Sequence, residues 1–379
     1  MRAIAHMDLD SFFVSCERLQ DSRLEGKPIL IGGTGGRGVV ASCSYEARKF
    51  GIHSAMPMRI AMRRCPEAIV IKGNSETYSK YSKLVTEIIA ERVPLYEKSS
   101  IDEFYLDLTG MDKLFGCMQY TQEIRQTILK ELGLPISFGL SENKTVSKIA
   151  TGEAKPNNAK NIVYGTEKSF LAPLSVRKIP AVGMKTYQNL CNLGVKRIST
   201  LQEMPPELLE DAFGKLGTII WKKANGIDAS PVIQYSEKKS ISKEKTFQND
   251  TIDVRQIKAL LTRMAEVLAY QLRSSKKVTS CVSVKIRYSD FKTQTLQQKI
   301  PYSAADHKLI PIVMNLFDKI FQRRVRIRLI GVKYSSLVTG SQQISLFDAD
   351  TKYMNLYQAM DRIRNKYGEK SVFNASGLR

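Results

Sequence analysis

Short apolar runs and stretches of helical period alternate along the first 165 residues. Runs of apolar residues predict strands at Ala3–Asp8, Pro28–Ile31, Gly38–Ser42, Phe104–Leu108 and Ile136–Leu140, and a 3.6-residue period predicts helices at Ser75–Arg92 and Gln119–Leu132. Two helices separating strands in this way suit a split βαβ sheet. From 166 to 232 the texture changes, with short helical segments interrupted by Pro173, Pro180, Gly183, Gly194, Pro205-Pro206, Gly214, Gly217 and Gly226, which predicts a compact all-helical unit. Within it, Ile179-Pro180-Ala181-Val182-Gly183 and the helix running to Leu193-Gly194-Val195 have the form of a helix-hairpin-helix, whose turn aims backbone N–H groups at a phosphate. A weaker second copy runs from Leu208 through Phe213-Gly214-Lys215-Leu216-Gly217; a plain αα-hairpin with glycine caps has the same signature.

A polar bridge at 233–240 leads into a third region, 241–340, predicted as strand, helix Val254–Leu272, strands Cys281–Tyr288 and Gln294–Ile300, helix Ala304–Ile320 and strand Ile327–Tyr334. A tail, 341–379, contains a predicted helix at Lys352–Tyr367. The fold class expected is therefore multidomain, α/β followed by all-α and then α+β.

Composition narrows the function. The 379 residues are 43% hydrophobic and 25% charged, as in an ordinary soluble globular protein. No segment approaches a membrane span, and Met1 to Leu9 carries His6 and Asp8 where a signal peptide needs an unbroken apolar core, so a cytoplasmic protein is expected. Six scattered cysteines without a CxxC pair, and three histidines, argue against zinc and against a disulfide framework. Net charge is +21, and between Glu237 and Gly340 there are 21 Lys and Arg against 8 Asp and Glu, which points to a polyanionic partner.

The chemistry is carried by two acidic clusters beside strand-like runs, Met7-Asp8-Leu9-Asp10 and Ser100-Ile101-Asp102-Glu103. A strand would place Asp8 and Asp10 on one face with Leu9 on the other. If the run after Ile101 lies beside the first strand, Asp102 or Glu103 converges with Asp8 on Mg2+, whose oxygen shell mixes a few carboxylates with phosphates and water. Taken singly, each acid is equally well an exposed strand-end residue.

Five ordered segments carry a family resemblance: Met7-Asp8-Leu9-Asp10-Ser11-Phe12-Phe13, Ser44-Tyr45-Glu46-Ala47-Arg48-Lys49-Phe50-Gly51, Ser54-Ala55-Met56-Pro57, Ser100-Ile101-Asp102-Glu103 and Ala154-Lys155-Pro156-Asn157-Asn158. Over about residues 1–347 the chain resembles the Y-family DNA polymerases, nearest the bacterial polymerase IV and UmuC-like branches. The resemblance implies a ferredoxin-like palm at 1–10 and 75–165, small fingers at 11–74, a helix-hairpin-helix thumb at 166–232, a linker at 233–240, an α+β little finger at 241–340 and a C-terminal tail at 341–379. It implies a monomeric, nucleoid-associated polymerase that adds dNTPs to primer-template DNA with low fidelity, copies past lesions and does not proofread.

For individual residues the resemblance implies that Asp8, Asp102, Glu103 and the Leu9 carbonyl hold two Mg2+ ions, with Asp10 and Asp107 left open between supporting and purely structural roles. Tyr45, Arg48, Lys155 and Ser42 match the nucleotide triphosphate clamp, a set of forked, point-charge and neutral donors that suits phosphate oxygens. Phe13 falls at the steric gate that excludes a ribose 2′-hydroxyl, and Ala41 and Val39 fall where small residues roof the nascent pair. Val182, Gly183 and Lys185 of the hairpin, with Arg324, Arg326 and Arg328 expected on one strand face, match DNA-backbone contacts. Gln343-Ile344-Ser345-Leu346-Phe347 resembles the peptide by which bacterial polymerases bind the sliding clamp (beta subunit). Ala181 departs from the hairpin pattern, which usually has glycine there, and the residues beyond Phe347 exceed the shortest polymerase IV chains. Two other classes stay open: a catalytically weak clamp- and DNA-binding adaptor of the same family, and a nucleotidyl cyclase on a similar sheet.

Overall fold

The computed structural model describes residues 2–111, 116–234, 237–340, 350–369 and 371–377, and Gln343 to Phe347 lie outside them. The chain forms two compact units, Met1–Ser236 and Glu237–Arg379.

In the first unit, β1 (Ile4–Leu9) turns at Asp10 and Ser11 into α1 (Phe12–Gln20). A small lobe follows, with β2 (Ile29–Gly32), β3 (Val40–Cys43), α2 (Tyr45–Arg48), α3 (Met58–Arg64) and β4 (Ile69–Ile71) built on a three-stranded sheet, β3-β2-β4. Its apolar core of Leu30, Val40, Ile52, Met56 and Met58 is its own. Then come α4 (Ser75–Arg92), β5 (Tyr96–Lys98), β6 (Glu103–Asp107), α5 (Cys117–Leu132), β7 (Ile136–Ser141), α6 (Lys144–Ala154) and β8 (Ala159–Asn161). The larger sheet runs β5-β6-β1-β7-β8, with β1 antiparallel to both neighbours, which is the split βαβ order expected for a ferredoxin-like sheet.

Burial explains this arrangement. β1 is covered on both faces: its Ala5, Met7 and Leu9 share a core with Val85 and Ile89 of α4 and Ile124 and Ile128 of α5, while Ile4, His6 and Asp8 lie on the opposite face. Helix α6 covers the other face at close quarters, because Gly139 of β7 leaves no room for a side chain beneath it: an added Cβ would lie 2.3 Å from the Ser147 carbonyl oxygen.

The helical segment comprises α7 (Glu167–Leu171), α8 (Met184–Asn192), α9 (Ile198–Glu203), α10 (Pro206–Phe213) and α11 (Lys215–Ala224) around Leu171, Ile179, Leu190, Ile198, Leu209 and Ile220. Ala181 adopts φ 83°, the left-handed region that a glycine would enter without cost. Gly217 lets α11 cross α10 closely, since a Cβ there would meet the Leu209 carbonyl oxygen.

The second unit contains β9 (Ser240–Thr251), α12 (Val254–Ser274), β10 (Lys277–Tyr288), β11 (Thr293–Ser303), α13 (Asp306–Ile320), β12 (Ile327–Thr339) and α14 (Asp350–Tyr367). Its antiparallel sheet has the order β11-β10-β12-β9. The apolar stripe of α12, Ile257, Leu261, Met264 and Leu268, shares one core with Val282, Val284, Ile286 and Val332 of the sheet. Alternate residues, among them Lys285, Arg287 and Lys333, face away from it. Helix α14 is fastened to α12 by Arg273, whose guanidinium forks onto Asp361 at 2.7 and 2.9 Å and also reaches Asp306 at 2.8 Å.

One expectation is corrected here. Arg324 and Arg326 precede β12, which starts at Ile327, and the ladder shifts register between Ile327 and Leu329, so the three arginines do not share a strand face. A bulge at this point re-aims Arg328, whose guanidinium lies 4.5 Å from the centre of the Phe291 ring.

Candidate active site

The register of β1 against β6 sets Asp8 opposite Glu103, and the Leu9 N–H donates to the Asp102 carbonyl at 3.0 Å, so both acidic clusters meet at one sheet end. Like charges placed opposite one another are destabilising unless a cation lies between them. Burial pushes the Asp8 carboxyl up to about 6; the Lys155 ammonium pulls it down, and the Glu103 and Asp102 charges add to the rise. The Ser100 hydroxyl donates to Asp102 Oδ1 at 2.5 Å and accepts from the Glu103 N–H at 3.1 Å, which fixes the turn carrying both acids.

The positive charge comes from α6 and its C-terminal end. Lys155 Nζ lies 2.7 Å from Asp8 Oδ1, 3.2 Å from Asp10 Oδ1 and 3.4 Å from the Leu9 carbonyl oxygen. Lys148 Nζ reaches Glu103 Oε1 at 2.6 Å. Among the described residues no three acidic, thiol or imidazole side chains close into a single cage. The donor set nevertheless suits a hard divalent cation: it is all oxygen, it carries excess negative charge, and an ammonium already bridges the Asp8 carboxylate and the Leu9 carbonyl as a monovalent stand-in.

Beside these acids lies a cavity of about 330 Å³ whose lining includes Asp8, Phe13, Ser42, Arg48, Asp102 and Lys155. Ser44 caps α2 by accepting from the Ala47 N–H, and Arg48 of this helix lines the cavity, whereas Tyr45 is outside the lining. The Arg48 guanidinium stands 4.5 Å from the centre of the Tyr45 ring. The Tyr45 hydroxyl donates to Asp10 Oδ1 at 2.9 Å; burial, and then the Asp10 charge, raise its pKa and keep it a neutral donor. Phe13 stacks on Tyr78 with ring centres 4.3 Å apart and planes 10° apart, and the Tyr78 hydroxyl is anchored on Glu17 at 2.5 Å. Ala41 also lines the cavity; Val39, outside the lining, bridges to Pro57.

Two contributors were not singled out from sequence. Ser11 lines the cavity in a left-handed conformation, φ 44°, and its buried hydroxyl has no hydrogen-bond partner among the described residues. Lys148 neutralises Glu103, a role that no local motif betrays. Asp10, whose role the sequence left open, is a buried acceptor of hydrogen bonds. In the hairpin, the Val182 and Gly183 amides are engaged by the Ile179 and Ala181 carbonyls, and Gly183 starts α8 with no side-chain cap. The amides left for an anion are therefore those of the first turn of α8, at Met184 and Lys185.

Sheet order, paired strand-end acids and an adjoining cationic cavity together describe a nucleotidyl-transfer fold. The sequence matches the impB/mucB/samB family over residues 7–152 and the C-terminal domain of that family over residues 238–346. The chain belongs to this family and is a Y-family DNA polymerase. It is similar to a DNA polymerase IV of Dehalococcoides mccartyi, 39% identical over 376 residues, covering 98% of this chain and 96% of that relative. A DNA polymerase IV of Streptococcus pneumoniae is 38% identical over 338 residues, 87% of this chain and 96% of that protein. Among solved structures, a Y-family DNA polymerase chimera superposes with a TM-score of 0.80 at 25% identity, over 89% of this chain and 100% of that one. The insertion ternary complex of Dbh DNA polymerase gives 0.65 at 25% identity, with the same coverage of each chain. Among the described residues no helix is long and apolar enough to cross a membrane.

Proposed function

We propose that the protein is a DNA-templated DNA polymerase that extends primers with dNTPs at low fidelity, past template lesions and without proofreading. The observation that carries this reading is the meeting of Asp8 with Glu103 across β1 and β6 beside a cavity into which Lys155, Arg48 and Phe13 also face. In it, 1–10 and 75–165 form the palm, 11–74 the fingers, 166–232 the thumb, 233–240 the linker, 241–340 the little finger and 341–379 the tail.

Asp8, Asp102, Glu103 and the Leu9 carbonyl would hold two Mg2+ ions. When bound, these supply the charge that lowers the pKa of the primer 3′-hydroxyl and neutralises the leaving pyrophosphate. The protein's own groups bind and orient: Arg48 and Lys155 give charged donors to the triphosphate and Tyr45 and Ser42 neutral ones, with Lys155 exchanging its Asp8 contact, and Tyr45 its Asp10 contact, for phosphate oxygens. Phe13, held flat by Tyr78, stands under the sugar, where a 2′-hydroxyl would overlap it. The open cavity beside Ala41 discriminates little by shape, which favours damaged templates. The first turn of α8 and the basic second unit take backbone phosphates without reading bases, and Gln343 to Phe347 tether the monomer to the sliding clamp, raising its effective concentration at the primer.

The test is extension of a labelled primer on undamaged and abasic templates with Mg2+ and dNTPs, beside the Asp102→Ala variant. Extension past the lesion, lost in the variant, supports the reading. Salt-sensitive DNA binding without extension by the wild-type chain would favour an adaptor instead.

A further inference from the structure

Asp10 is 2% exposed, and all of its oxygens are taken. Its Oδ1 accepts from the Tyr45 hydroxyl at 2.9 Å and lies 3.2 Å from Lys155 Nζ; its Oδ2 accepts from the Ser137 hydroxyl and from the Asn157 N–H, both at 2.7 Å. Its backbone is pinned as well, since the N–H donates to the Pro135 carbonyl at 2.8 Å and the carbonyl accepts from the Ser15 hydroxyl at 2.7 Å. One carboxylate thus joins the end of β1, the first turn of α2, strand β7 and the loop after α6.

We propose that Asp10 is a positioning residue for the incoming nucleotide: it holds Tyr45 and Lys155, which lie on separate elements, in the one mutual arrangement that matches a triphosphate. The inference rests on the clamp reading given above. The chemistry requires a carboxylate. Lys155 and the Asn157 N–H only donate, and they approach opposite oxygens, so an amide at position 10 would turn its NH2 toward one of them in either orientation. With the carboxylate in place, the Tyr45 hydroxyl is parked at the site, ready to pass its single proton from Asp10 to a phosphate oxygen, and the ammonium stays within reach of the cavity when its Asp8 contact opens. Without it, each donor adopts its own rotamers, and ordering them falls to the nucleotide.

The test is single-nucleotide incorporation by the full-length chain, with KM for dNTP, kcat and the Kd for primer-template measured for D10N, Y45F, D10N/Y45F and S137A. Loss of a hydrogen bond to a charged group predicts that D10N raises KM for dNTP by roughly tenfold or more, with the DNA Kd unchanged within about twofold. Because Asp10 acts partly through Tyr45, the double variant should show a KM well below the product of the two single effects. S137A removes one donor to Asp10, touches neither clamp residue and keeps the fold if D10N does not; it should raise KM about threefold. If Y45F raises KM while D10N and S137A leave it unchanged, or if the D10N and Y45F effects multiply in full, the positioning role is wrong and Asp10 only supports the fold. If Y45F itself leaves KM unchanged, the clamp reading fails and this inference with it.

Discussion

Gly139→Ala is the perturbation on which the structure makes its sharpest demand. The new Cβ would lie 2.3 Å from the Ser147 carbonyl oxygen, 2.6 Å from the Thr151 nitrogen and 2.7 Å from the Ala150 Cβ, all on α6. Two of these are backbone atoms, so no rotamer change relieves the overlap, and the helix must retreat by about 1 Å to restore ordinary contacts. Overpacking of this kind costs about 1–3 kcal/mol, and a backbone collision belongs at the upper end. For a unit of this size that predicts a fall in Tm of roughly 6–12 °C. Trp221, the one tryptophan in the chain, lies in the same unit and reports the transition by fluorescence. The same shift moves Lys148 and Lys155 off Glu103 and Asp8, so incorporation at a temperature where the variant is folded should drop by about a hundredfold. Gly152→Ala is the control on the same helix: its Cβ meets nothing within 4 Å, and replacing a glycine in the last turn of α6 should leave stability unchanged or raise it by up to about 0.5 kcal/mol. A Gly139→Ala protein with unchanged Tm and activity would refute the packing of α6 on β7 and the placement of both lysines.

Phe13→Ala should lower discrimination against ribonucleotides at least tenfold, read as the ratio of kcat/KM for dNTP and NTP, because removing the ring removes an overlap of about 1–3 kcal/mol; an unchanged ratio would dismiss the gate. Ala181→Gly relieves the left-handed strain at φ 83° and should stabilise the first unit by about 1 kcal/mol in thermal unfolding. Arg273→Met strands Asp306, which is 5% exposed, together with Asp361, and should cost the second unit about 3–5 kcal/mol and speed proteolysis of α14.

Much of the architecture was readable because burial writes a period into the sequence. Helix α4 occupies Ser75–Arg92 as expected, since an apolar stripe and an Asn74 cap both mark it. Helix α6 escaped because its only large buried apolar residues are Val146 and Ile149, and the rest of its buried positions, such as Ser147, Ala150 and Thr151, are small or hydroxylated and leave only a short apolar stripe. The arginines at 324, 326 and 328 were misplaced because a bulge interrupts the alternation they suggest. At the site, the acids stood out since charge at the end of an apolar strand is conspicuous. The work of Asp10 did not, because its side-chain partners Tyr45, Ser137, Lys155 and Asn157 are 35 to 147 residues away and only the fold assembles them.

The most direct test of the central claim, that the acids at the ends of β1 and β6 form one metal-dependent nucleotidyl-transfer site, is Mg2+ titration of primer extension by Asp8→Ala alongside its DNA affinity and thermal unfolding. The account predicts no extension at any Mg2+ concentration, with DNA binding and Tm close to those of the wild-type chain. Extension that persists in the folded variant would contradict it.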